Sequence, residues 1–169
     1  MNFIKYLFIV LFIFLMSCAD NKNYPMTKLD RKISANFSLQ KIDGTLLTLE
    51  ELRGSYVLVN FWATWCKPCV KEIPSLNNLS KIYSKNDNFK VLAINIGQKK
   101  DIVDNFLKQI GGVDFLILLD EEMKLQDWNV QAIPTTFIVD KEGFIIFSAQ
   151  GEREWDSDEF TQFIDFLLK

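Results

Sequence analysis

Histidine is absent from all 169 residues, and cysteine occurs only three times. The first absence removes His-ligated zinc sites, Cys-His and Ser-His-Asp nucleophiles, and haem attachment through a Cys-x-x-Cys-His run. No uncharged stretch reaches 18 residues, which excludes a polytopic membrane protein. Positive charge is not in excess either. Lys and Arg number 19 against 22 Asp and Glu, a net charge of -3, so a polyanion finds no broad basic surface and nucleic acid is disfavoured as a partner. What remains is a chain that is 49% hydrophobic and 24% charged. That is enough apolar surface for one packed core, and it excludes a disordered or collagen-like chain. The length suits a single domain with a terminal appendage.

The appendage is N-terminal. Lys5 is the only charged side chain in the first 19 residues, and residues 6–16 are uniformly apolar. Eleven such residues fit the central region of an export signal better than a membrane span of about 20. The run ends at Leu15-Met16-Ser17-Cys18, which resembles a bacterial lipobox, with Met16 a less usual occupant of its position. Cleavage before Cys18 and acylation of its sulfur would consume the odd cysteine and leave two in the exported body. Residues 1–17 are therefore expected to be a lipoprotein signal peptide and residues 18–32, polar and without apolar period, a tether. A domain over residues 33–169 is expected outside the cytoplasm, in the cell envelope and lipid-anchored to a membrane, in the periplasm if the cell has two membranes.

Within the body, residues 36–39 and 45–47 flank Asp43-Gly44, a hairpin signal. Thr48-Leu49-Glu50-Glu51 reads as a capping box opening a short helix that Gly54 ends. Residues 56–62 are apolar with little alternation, as in a central strand covered on both faces. A helix through about Tyr83 follows, with Pro74 as an internal kink, then a strand over 89–96 and a helix over 101–110 closed by Gly111-Gly112. Further strands are expected at 115–119, 135–139 and 144–149, with a short helical stretch over 121–128. A last helix, capped by Asp156 or Ser157, shows one apolar face through Phe160, Phe163, Ile164, Leu167 and Leu168. This order predicts an α/β fold, a central mixed sheet with helices on both faces and an added N-terminal β-hairpin.

The chemistry lies in Trp65-Cys66-Lys67-Pro68-Cys69, directly after the buried strand and at the start of a helix. That position sets the first sulfur among unpaired backbone N–H groups at the positive helix end, where a thiolate is stabilised. Lys67 adds a cation, and Pro68 suits the first helical turn. Two intervening residues bring the second sulfur close enough to resolve a mixed disulfide at the first. A zinc site would need a second cysteine pair or a histidine, so no metal is expected; a static disulfide is the other alternative.

Residues Val59-Asn60-Phe61-Trp62-Ala63-Thr64-Trp65-Cys66-Lys67-Pro68-Cys69, then Lys71-Glu72-Ile73-Pro74 and much later Ile133-Pro134-Thr135-Thr136-Phe137, resemble the TlpA/ResA-type branch of the thioredoxin superfamily. The resemblance covers about residues 33–169 and implies a thioredoxin fold. It implies that Cys66 is the exposed attacking sulfur and Cys69 the buried resolving one. Pro134 matches a cis-proline facing the disulfide, with the backbone of Ile133 offered to an incoming peptide. Asn60 stands where thioredoxin has a buried acid, and Glu72 is the substitute: three residues beyond Cys69 on one helical face, it could accept and return a proton. Trp65 is expected at the rim of the substrate site and Trp62 in the core, with Trp128 and Trp155 as packing.

Together these imply a thiol-disulfide oxidoreductase acting on protein thiols and disulfides without a bound cofactor. It is expected to be a monomer that runs in the reducing direction, is recharged by a membrane electron donor of the CcdA/DsbD kind, and serves cytochrome c maturation. Two alternatives stay open: a peroxiredoxin-like peroxidase, whose Pro-x-x-x-Thr-x-x-Cys setting this chain lacks, and a redox-inert peptide-binding module on the same fold.

Overall fold

Three strands buried on both faces make the centre of the molecule. In the computed structural model, which describes residues 24–33, 36–124 and 126–169, they are β4 (Tyr56–Trp62), β5 (Phe89–Ile96) and β6 (Leu116–Asp120). They pair in parallel, with Tyr56 opposite Phe89 and Trp62 opposite Asn95. Parallel neighbours need crossovers, and α1 (Lys67–Ile82) and α2 (Lys100–Gln109) supply them. The antiparallel hairpin of β7 (Thr135–Val139) and β8 (Phe144–Gln150) lies on the other side of β4. The expected leading hairpin is β2 (Ser38–Lys41) with β3 (Leu46–Thr48), joined through Gly44 at φ +89°, a value that glycine adopts without a Cβ penalty. The chain closes with α3 (Asp158–Leu167), capped by Ser157, whose hydroxyl accepts the Phe160 N–H.

The strand order is β1-β8-β7-β4-β5-β6-β2-β3, and β1 (Thr27–Ile33) is the unexpected member. Residues 27–32 were expected in the tether, and the domain near residue 33. Instead the segment pairs antiparallel with β8. Tyr24 packs edge-on against Phe147 and Phe163, and Met26 is buried with them. Arg31 forks onto Asp140 and also reaches Glu142, fastening the strand to the β7–β8 turn. The domain therefore begins about nine residues earlier than its composition suggested. The signal segment and Cys18 lie outside the described residues.

Alternation along β4 divides the core. Leu58, Asn60 and Trp62 point to the face covered by α1, α2 and α3, while Val57, Val59 and Phe61 point to the opposite face. Two right-handed crossovers stepping the same way along a sheet place both helices on one face. The second face is covered by the hairpin side chains Leu39 and Leu47 and by two 3-10 turns, Glu50–Leu52 and Gln126–Trp128. Helical cover on both faces is thus present but uneven. The first turn also departs from a full capping box: Leu49 is its N-cap, and Glu51 accepts the N–H and hydroxyl of Thr48 without a return bond from Thr48. The helical stretch expected over 121–128 shrinks to its last turn, between positive φ values at Met123 and Asn129.

Candidate active site

Strand β4 ends at Trp62, and a short turn leads into α1, whose N-cap is Cys66. The turn is held from the side. Gln98 donates to the Thr64 hydroxyl at 2.8 Å and accepts the Thr64 N–H at 2.8 Å, while Asn95 donates to the same Gln98 oxygen at 3.0 Å. Neither residue stands out in the sequence, because nothing local to residues 95–98 signals a bond to a loop more than thirty residues earlier.

Cys66 and Cys69 are joined by a disulfide, with Cα atoms 5.3 Å apart. The Cys66 sulfur accepts the backbone N–H of Cys69 at 3.3 Å, one of the donors that a helix leaves free in its first turn. In the dithiol state the same donor and the positive helix end favour a thiolate on Cys66. Burial works against that charge. The sulfur expected to be exposed belongs to a residue only 5% exposed, against 1% for Cys69. Cys66 is still the more accessible of the two, and its neighbours in sequence, Trp65, Lys67 and Pro68, are exposed. Trp65, at 67%, is the most exposed large apolar side chain among the described residues.

The Ile133–Pro134 bond is cis, and the Ile133 carbonyl oxygen lies 3.7 Å from the Cys66 sulfur. The next carbonyl, of Pro134, accepts the Gly151 N–H at 2.9 Å, which ties this loop to the start of the segment leading to α3. The three residues expected to meet a substrate, Trp65, Ile133 and Pro134, thus border the disulfide from two sides.

Behind the pair lies Glu72, 2% exposed on the inward face of α1. Asn60 on β4 donates to its Oε1 at 2.7 Å and to the Thr136 hydroxyl at 2.9 Å. The Trp155 indole N–H donates to Oε2 at 2.9 Å, and the Arg153 backbone N–H to the same oxygen at 3.1 Å. Burial pushes the carboxyl up from 4.5 to about 7, against the pull of these donors, and nearby Glu152 adds to the rise. A carboxyl poised there can take and return a proton at neutral pH. Glu72 lies on the buried face of α1, and the three donors that hold it leave no mark in the local sequence. Asn60, at the position where the resemblance puts the buried acid of thioredoxin, donates to Glu72 directly, and Trp155, expected only to pack, also bonds it. Trp62 and Trp128 are core, as expected.

Sheet order, helix positions and a disulfide at a helix N-terminus facing a cis-proline define a thioredoxin-like protein, and the chain belongs to the Redoxin family, whose model matches residues 28–164. Among individual proteins it is 38% identical over 112 residues to the thiol-disulfide oxidoreductase ResA of Bacillus subtilis (strain 168), a match covering 66% of this chain and 62% of ResA. The match therefore spans less than two thirds of that relative. A putative thiol:disulfide interchange protein DsbE from Chlorobium tepidum superposes with a TM-score of 0.75 at 27% identity, covering 85% of this chain and all of the other. The exposed lipoprotein thioredoxin of Streptococcus pneumoniae strain TIGR4 superposes with a TM-score of 0.69 at 27% identity, covering 79% and 100%.

Proposed function

We propose that this chain is a thiol-disulfide oxidoreductase that reduces protein disulfides outside the cytoplasm while held to a membrane by a lipid on Cys18. The observation that carries the exchange chemistry is the Cys66–Cys69 bridge at the N-terminus of α1, with the Cys66 sulfur bonded by the Cys69 N–H and bordered by the Ile133 carbonyl.

In the reducing direction, the Cys66 thiolate attacks one sulfur of a client disulfide. A bond forms between Cys66 and that sulfur, the client S–S bond breaks, and the released client thiolate takes a proton. Cys69 then gives its proton to Glu72, and its thiolate attacks the Cys66 sulfur. This remakes the internal disulfide and releases the second client thiolate, which takes up the proton in turn. Two electrons pass to the client. A membrane dithiol donor of the CcdA/DsbD kind restores the starting state by the reverse exchange. Apocytochrome c cysteines, which must be reduced before haem attachment, are the client class we favour, on the resemblance of the residues around Cys66, Glu72 and Pro134 to the TlpA/ResA-type branch.

Membrane attachment is supported by the lipobox-like residues 15–18 and by the similarity to a lipoprotein thioredoxin. Since Tyr24 already packs on the body, only six Cα–Cα steps separate it from Cys18, a reach of roughly 20 Å. The domain would therefore stay close to the bilayer.

Two experiments test this reading. Cys69→Ala should accumulate clients as mixed disulfides on Cys66, separable under non-reducing conditions; a trap that recovers no covalent partner would count against exchange. Cys18→Ala should move the protein from the membrane to the soluble extracytoplasmic fraction, and an unchanged membrane fraction would overturn the lipid anchor.

A further inference from the structure

Glu72 has a neighbour whose role the exchange chemistry above leaves open. Trp155 is fully buried, stacks edge-on against Phe160 at 4.8 Å, and directs its indole N–H at Glu72 Oε2. An indole N–H can only donate, and so can the Arg153 backbone N–H on the same oxygen. Asn60, on Oε1, carries both donor and acceptor atoms and can turn its amide over; Trp155 and Arg153 N–H have no such freedom. Two fixed donors thus occupy Oε2, and a proton placed there would face them. Oε1 is the oxygen left to carry it.

We propose that Trp155 is a positioning residue for thiol-disulfide exchange: its indole N–H holds Glu72 by Oε2 and reserves Oε1 to take the proton of Cys69. The proposal rests on the reading of Glu72 as proton acceptor. In the step concerned the Cys69 S–H bond breaks, an O–H bond forms at Oε1, and the electron pair stays on sulfur as thiolate. The placement also links distant parts of the site. The segment from Gly151, whose N–H holds the Pro134 carbonyl, to Trp155 carries both the Arg153 N–H and the indole to Glu72. Other charged groups near Glu72 are Lys71 and Glu152, paired with each other, and Arg153, Glu154 and Asp156, which line the cavity beside it; Cys69 lies one turn earlier on α1.

The test follows release of glutathione from a Cys66–glutathione mixed disulfide by Cys69, as a function of pH. Removing one hydrogen bond to a charged carboxylate disfavours ionisation, so Trp155→Phe should move the midpoint of the profile to higher pH by about one unit. At pH 7 release should slow several-fold, and the rate should recover at alkaline pH. A purely structural role would lower stability and leave the midpoint in place. Should Trp155→Phe fail to fold, the wild-type indole N–H resonance serves instead: in the reduced protein it should titrate with Glu72, near pH 7. A folded Trp155→Phe with an unmoved midpoint, or an indole resonance flat from pH 5 to 9, overturns the proposal. Glu72→Gln separates the two ideas. If that variant keeps the wild-type rate and profile, the reading of Glu72 fails and this proposal with it; if it slows release while Trp155→Phe leaves the midpoint in place, only the role of Trp155 fails.

Discussion

Six residues apart on one helix, Cys66 and Glu72 meet their surroundings in opposite ways. At the mouth of α1, the Cys66 sulfur faces an N–H of the first turn and the positive helix end, so the environment favours an anion where attack begins. Deeper in, Glu72 meets a buried environment that penalises its charge more than three hydrogen bonds favour it, and the carboxyl is drawn up to about 7. One end of the helix makes a nucleophile, and the next turn holds a group undecided between acid and base. The proposed exchange uses both, with the first sulfur charged early and the second losing its proton only after the mixed disulfide forms.

The contrast can be broken most severely at its nucleophile. Cys66→Ala should reduce the reduction of a model disulfide by the dithiol protein to the background rate; residual reduction carried by Cys69 alone would mean that the roles are reversed. Next in size, Glu72→Gln should slow resolution by about a hundredfold near neutral pH, the scale of a lost general acid or base, while leaving capture of a client by Cys66 nearly intact. Equal slowing of both steps, in single-turnover measurements, would remove the division of labour.

The same residue makes a stability prediction. A carboxyl raised from 4.5 to about 7 by folding favours the native state in its protonated form. That advantage is fully present below about pH 4.5, is lost as pH rises through about 7, and stays lost above. From pH 4 to pH 8 the wild type should therefore lose about 3 kcal/mol relative to Glu72→Gln, measured by denaturant unfolding at each pH. Smaller still, Met26→Ala should cost about 2 kcal/mol, since it opens a cavity under β1. No cost would return residues 24–33 to the status of a tether. The least change is expected from Glu152→Gln, which removes a repulsion on Glu72 from a partly exposed site paired with Lys71. The pH midpoint of resolution should fall by a fraction of a unit.

How much of this was legible in the sequence follows from the range of the interactions. The strands β4, β5 and β6 are largely apolar on both faces, so composition marks their positions, and Cys66 and Cys69 are set by a local spacing and a strand-to-helix junction. Strand β1 is hidden in the sequence for a physical reason. Thr27-Lys28-Leu29-Asp30-Arg31-Lys32-Ile33 is charged, as suits a sheet edge, and its stability comes from β8 and from Asp140, over a hundred residues away. Trp155 has the sequence signature of a packing residue, and its ring does pack; the bond of its nitrogen to a carboxyl 83 residues earlier leaves no trace in local pattern. Gln98 and Asn95 were silent for the same reason.

The asymmetry between the two sulfurs is most directly tested by competition. Fully reduced protein treated at pH 7 with substoichiometric iodoacetamide, then digested and weighed by mass spectrometry, should carry the label on Cys66 with Cys69 nearly unmodified. Label found first on Cys69, or shared equally, would contradict the assignment of Cys66 as the attacking sulfur.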